Sequence, residues 1–261
     1  MFTPRLLAVL LPLTLVLSAC TTPAYKDSRH IYAQILEQQA GESTDLQKFS
    51  PAMVSLIALN SESGNFLYRG DMPINGQQFS YDELRSALKN ATPGGALPDQ
   101  YFVVDISLVN SINPQEAVHL GIERRFWKDN NELGQVINHP VYGSLTSPND
   151  YSTEERKRLE KIPTLSSTDV LLENIQSLLL ANQLNGLPLV LYIHCEAGMD
   201  RTGEVAAAYA MKYLGSSYAD AYANAKRVAR RELRSVSRNE LQWYAYYLRD
   251  VQNVSTIGEI R

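Results

Sequence analysis

Two cysteines, four histidines and two tryptophans in 261 residues leave little material for cross-linking or metal binding. With Cys20 and Cys195 as the whole cysteine complement, a disulfide-stapled scaffold is excluded. The spacing of the histidines suggests no metal site. Positive charge is also short, 24 Lys and Arg against 28 Asp and Glu, and a net charge of −4 is not the footprint of a nucleic-acid binder. The longest apolar run, Leu6 to Leu17, falls short of the roughly 20 residues needed to cross a bilayer. What is present, 44% hydrophobic and 20% charged residues, suits one globular α/β domain with a single core. No internal repeat and no second domain boundary is visible.

Arg5, the apolar run and then Leu17-Ser18-Ala19-Cys20 form the pattern of a secretory signal. The small residues before Cys20 resemble the lipobox of bacterial lipoproteins. That resemblance implies cleavage before Cys20, lipidation of Cys20, and a lipid-anchored place in the bacterial cell envelope. Thr21 where an Asp would otherwise stand points to the outer membrane. Residues 1–19 are then a signal peptide, 20–28 a lipidated tether and 29–261 the folded domain. Lipidation of Cys20 would leave Cys195 with no disulfide partner.

Ile31, Ile35 and Leu36 predict a short helix within 30–40. Met53 to Leu59 and Asn65 to Arg69 read as short strands, and Ser80 as the cap of a helix running to about Asn90. Tyr101 to Leu108 has the β-branched character of a buried parallel strand. Residues 110–150 lose periodicity beyond a turn or two at Pro114 to Leu120. This segment reads either as an ordered insertion near a site or as a surface excursion. Ser166, Ser167 and Thr168 predict the cap of a helix bearing Leu171, Ile175, Leu178 and Leu179. The strand Leu189 to His194 and a helix from Thr202 to Leu214 follow. A stripe from Tyr218 to Leu233 and another from Leu241 to Val251 predict two further helices. Arg227, Arg230, Arg231 and Arg234 recur at helical spacing opposite the first of these stripes. They read as a solvated face or as a surface attracting phosphate groups.

The chemistry concentrates in His194-Cys195-Glu196-Ala197-Gly198-Met199-Asp200-Arg201-Thr202-Gly203, between the apolar strand and the helix. Five residues closed into a cradle turn successive N–H groups inward, and the helix start adds unsatisfied N–H groups and a positive dipole end. Such a cradle binds anions through Glu196, Ala197, Gly198, Met199, Asp200 and Arg201. The same field favours a thiolate on Cys195, and the planar fork of Arg201 matches two phosphoryl oxygens. A cysteine-protease reading is poor, because His194 and Cys195 are neighbours on an extended strand and face opposite ways.

These residues resemble the signature of the protein tyrosine phosphatase superfamily, histidine, cysteine, five residues, arginine, serine or threonine, glycine. Tyr68-Arg69-Gly70 and Val103-Val104-Asp105 resemble early strands of its small members. The resemblance implies an α/β fold with a mostly parallel central sheet flanked by helices, and phosphomonoester hydrolysis through a phosphocysteine without cofactor or metal. It makes Cys195 the nucleophile, Arg201 the phosphate ligand and Thr202 the hydroxyl that helps the thiolate leave, with His194 buttressing the loop. The upstream aspartate that usual members use as general acid is missing around Ile162 to Ser166. Asp200 is the leading substitute, as in lipid-phosphatase-like and atypical bacterial members, or else a loop-stabilising acceptor. Asp150, Asp129 and Asp169 are the other candidates. The implied substrates are phosphorylated protein, lipid or inositol phosphate, and the alternative is a catalytically weak lipoprotein that binds phosphorylated ligands.

Overall fold

In a computed structural model of the chain, residues 48–159 and 163–261 are described, together with side chains outside 163–166. The signal, the Cys20 lipid site, the tether and the 30–40 helix lie outside the described residues. The five-stranded sheet has the order β1-β2-β7-β5-β6. β1 (Ser55–Leu59) pairs antiparallel with β2 (Phe66–Asp71). β5 (Phe102–Ser107), β6 (Gly134–Asn138) and β7 (Leu189–Cys195) run parallel with β2. β3 (Ile74–Asn75) and β4 (Gln78–Phe79) form a small separate hairpin. The central sheet is therefore mostly parallel and carries helices on both faces, as the resemblance implies.

Alternation along β7 builds both cores. Leu189, Leu191, Ile193 and Cys195 face α4 (Pro163–Leu180), α5 (Asp200–Tyr213), α6 (Tyr218–Ala229) and α7 (Ser235–Asp250). Val190 and Tyr192 face the opposite core, where α1 (Tyr81–Ala91) contributes Leu84 and Leu88. Full burial of each such aliphatic side chain is worth about 1.5 to 3 kcal/mol, which makes β7 the best anchored element in the sheet. β2, β5, β6 and β7 all end at one edge, the edge where open parallel sheets place their ligands.

The sequence expectations fail most clearly between 110 and 150. Pro114–Asp129 is a sixteen-residue helix, α2, followed by the strand β6. Asn113 caps α2 by accepting from the amide of Gln115, and Pro114 occupies its first position. The stripe that α2 buries, Glu116, His119, Leu120, Glu123 and Trp127, is largely polar, and it conceals the helical period of apolar residues. Other boundaries shift as well. α4 begins at Pro163, ahead of the expected caps, and α5 begins at Asp200, so Thr202 lies inside it. Ser80 precedes α1 without a side-chain capping bond. α6 ends at Ala229 because Arg230 turns left-handed, which puts Leu233 and Arg231 in a connection and breaks the expected arginine row. A short helix α3 (Thr153–Leu159) precedes α4, and among the described residues no helix is long and apolar enough to cross a membrane.

Candidate active site

β7 ends at Cys195 and α5 starts at Asp200, so Glu196 to Met199 close the loop against the first turn of a fourteen-residue helix. Gly198 adopts φ +65°, and a Cβ there would stand 2.5 Å from the Gly70 carbonyl oxygen and 2.6 Å from the Asp71 nitrogen. Only glycine lets the loop lie on the end of β2. The amide of Met72 donates to the Glu196 carbonyl at 3.2 Å, and Arg69 Nη2 donates to the Gly198 carbonyl at 2.8 Å. Outward carbonyls are thus taken up by the scaffold. Among the described residues no protein acceptor is found for the amides of Ala197, Gly198 and Met199. That is the donor arrangement an oxyanion requires.

Cys195 is buried at the base of the loop. Arg201 is buried too, and its guanidinium grips Glu116 of α2 with two contacts, Nη1 to Oε2 at 2.8 Å and Nη2 to Oε1 at 3.0 Å. Glu116 Oε2 also accepts from the amide of Asn110. Arg201 turns its Nη1/Nη2 end to this carboxylate, and Nη1 also reaches the Leu108 carbonyl oxygen at 3.4 Å. Thr202 is fully buried, and its hydroxyl has no hydrogen-bond partner, so no bond to the Cys195 sulfur is made in this structure.

His194 lies on the other face of β7, as neighbours on a strand must. Its Nε2 is 2.8 Å from Asp105 Oδ1 and 3.4 Å from Glu123 Oε1, and Nδ1 is 3.4 Å from the Cys195 carbonyl oxygen. All three side chains are fully buried. Burial opposes the charge on His194, but the Asp105 and Glu123 carboxyls outweigh it and lift its pKa to about 9. Burial pushes Glu123 the same way, well above the usual carboxylate range, against the pull of His194. Asp105 Oδ2 accepts from the Trp127 indole at 2.8 Å, which fixes the carboxyl in its plane. These three residues are close enough together to offer ligand atoms to a cation, and at 2.8 Å His194 Nε2 and Asp105 Oδ1 already stand at ion-pair distance.

The acid candidates fall in four different places. Asp200 accepts from Arg231 through both oxygens, at 2.9 and 2.6 Å, and its Oδ1 also accepts from the amide of Arg234 at 2.7 Å. This is the arrangement of an ionised acceptor, and it fits the loop-stabilising reading in place of the proton-donor one. Asp150 is exposed and closes a capping box with Ser147. Asp169 is bound by Lys212, Tyr244 and Gln252. Asp129 ends α2, some fifteen residues and about 20 Å along the helix from the site edge. The structure brings none of the four to the loop mouth as a free carboxyl.

Sequence reasoning missed Glu116, Glu123, His119 and the function of Asp105. His119 Nδ1 lies 3.4 Å from Glu196 Oε1, which ties the loop to α2 a third time. Further carboxyls with raised pKa flank the region. Asp71, beside Cys195 in the strand register, is pushed to about 7 by burial although the amide of Ser50 donates to it. Glu204 of α5 is held well above the carboxylate range by burial and by Glu240, and both line a cavity of about 230 Å³ with His139 and Tyr142.

No family model and no curated protein matches the chain. Among solved structures it is similar to a kinase-associated phosphatase with its catalytic-site cysteine replaced by serine, at 14% identity over 81% of this chain and 98% of that one, TM-score 0.43. It is also similar to Tk-PTP in its active form, at 16% identity over 76% and 97%, TM-score 0.37. A third is the core catalytic domain of the PP-IP phosphatase SIW14 from S. cerevisiae, at 18% identity over 73% and 86%, TM-score 0.39.

Proposed function

We propose that the chain is a cysteine-dependent phosphomonoester hydrolase that works through a phosphocysteine on Cys195. The observation that carries this reading is the meeting of three features in one loop: a buried cysteine at a strand end, amides without protein acceptors among the described residues, and a buried arginine held by Glu116. An oxyanion seated in the cradle would receive the amides of the loop and the positive charge of Arg201. The Cys195 sulfur attacks phosphorus from below, the ester oxygen departs on the outer side, and water then releases phosphate and regenerates the thiolate.

With Asp200 paired to Arg231, none of the four aspartates expected as acid stands ready to protonate the departing oxygen, so the reading favours substrates whose leaving group needs little protonation, such as aryl phosphates and phosphotyrosine. The same pairing keeps a second reading alive, a lipoprotein that holds phosphorylated protein, lipid or inositol phosphate without turnover. Anchoring through Cys20, with 29–261 as the folded domain, belongs to both readings. Hydrolysis of an aryl phosphate by the purified chain, abolished in Cys195→Ser while phosphate binding persists, is the expected result. Phosphate binding with no turnover of aryl or alkyl esters favours the binding module.

A further inference from the structure

The buried charges around the loop form pairs. Arg201 faces Glu116, His194 faces Asp105 and Asp200 faces Arg231. Arg69 of β2 breaks the pattern. It is 2% exposed and makes one hydrogen bond, from Nη2 to the Gly198 carbonyl. Its Nε and Nη1 have no partner, and no carboxylate lies within ion-pair distance of it among the described residues. A buried guanidinium without an anion is strongly unfavourable, and proteins rarely retain one unless a counter-charge arrives from elsewhere.

Arg69 and Cys195 both project from the face of the sheet covered by α5, with Arg69 opposite Ile193 and Asp71 opposite Cys195. We propose that Arg69 is a positioning residue whose missing counter-anion is the Cys195 thiolate, so that a second, substrate-independent cation beneath the loop holds the nucleophile ionised. This rests on the reading of Cys195 as the nucleophile. Burial lowers the pKa of Arg69 to about 10, and Cys195 is the foremost group acting against that loss. Tyr192, on the opposite face of the sheet, also acts on Arg69, but burial keeps its hydroxyl neutral, and that hydroxyl donates to the Asp71 carbonyl. From α6 comes another cation, Arg227, which deepens the need for an anion. The Asp71 carboxyl, two residues along the strand, is turned to the amide of Ser50.

The rate of Cys195 alkylation by iodoacetamide from pH 4 to 9, read by mass on the peptide holding Cys195 so that Cys20 does not contribute, tests the assignment. The native midpoint is expected well below the value of about 8.5 for a free thiol. Arg69→Gln should raise it by at least about one unit, slowing alkylation about tenfold at pH values well below the native midpoint, and Arg69→Lys should recover most of the difference. Glutamine retains a donor for the Gly198 carbonyl, so a role confined to that hydrogen bond leaves the midpoint in place and overturns the proposal. A readout that needs no substitution at 69 is the Arg69 Nε–H resonance in the native chain. It should move with the thiol midpoint, and a resonance indifferent to that midpoint overturns the proposal equally. A native thiol that titrates like a free one removes the phosphatase reading itself, whereas an acidic native thiol untouched by Arg69→Gln removes only the role of Arg69.

Discussion

Asp200 and Arg201 are adjacent in the chain, and each forms a two-contact ion pair, yet the pairs sit in opposite surroundings. The Arg201–Glu116 side chains are 4% and 0% exposed, whereas Arg231, the partner of Asp200, is 38% exposed. One pair joins the loop to α2 through the interior, and the other joins it to the α6–α7 connection at the surface. The same chemistry therefore has two consequences. A buried pair is costly to assemble and far costlier to break on one side, while a half-exposed pair can exchange its partner for water. On the proposed reading the guanidinium that grips phosphate, Arg201, is held by the first kind.

The sharpest way to break this comparison is Glu116→Ala. Removing the carboxylate leaves Arg201 as an uncompensated buried cation, so a loss of roughly 3 to 5 kcal/mol in urea unfolding is expected. The guanidinium also loses its orientation, so kcat/KM for an aryl phosphate should fall even at pH and temperature where the variant is folded. If Glu116→Ala proves no more costly than Asp200→Asn, burial is not what separates the two pairs.

The interior side has a pH signature. His194 binds its proton up to about pH 9 in the folded state, against about 6.5 when unfolded, because Asp105 and Glu123 overcome the burial penalty. Between those values the native state carries a proton that the unfolded chain has lost. This contribution is complete below about pH 6.5 and disappears as pH rises through about 9, with Glu123, raised by burial, acting in the same direction. Thermal unfolding should show stability falling by on the order of 2 kcal/mol across that window. Glu123→Gln should flatten the slope, and a slope unchanged in that variant removes Glu123 from the network.

Why the interior side escaped the sequence while the loop did not is a matter of which residues carry each pattern. The loop is a local string, and its spacing from Cys195 to Arg201 needs no tertiary information. Strands β5 and β7 were legible because continuous apolar runs are what doubly covered strands require. α2 was not, since it buries Glu116, His119 and Glu123, and a helix that supplies charges to a site offers no apolar stripe. The recurrence of 116, 119, 123 and 127 on one helical face was present in the sequence, but in polar letters. The arginine row failed for the converse reason. Its regular spacing suggested one helix face, and the left-handed Arg230 divides it so that Arg231 and Arg234 fold back onto Asp200.

Asp200→Asn is the smallest expected perturbation and the one that fixes the exposed end of the comparison. An amide oxygen can still accept from the Arg234 amide, and Arg231 can turn into solvent, so the loss should be about 1 kcal/mol and should shrink in 0.5 M salt, where exposed pairs are screened. Catalysis gives the second readout. A carboxylate already engaged by a guanidinium donates no proton, so aryl and alkyl phosphates should lose rate by the same small factor. Were the alkyl ester to suffer selectively, the Arg231 pair would have to open during turnover, and Asp200 would regain the acid role that the resting geometry denies it.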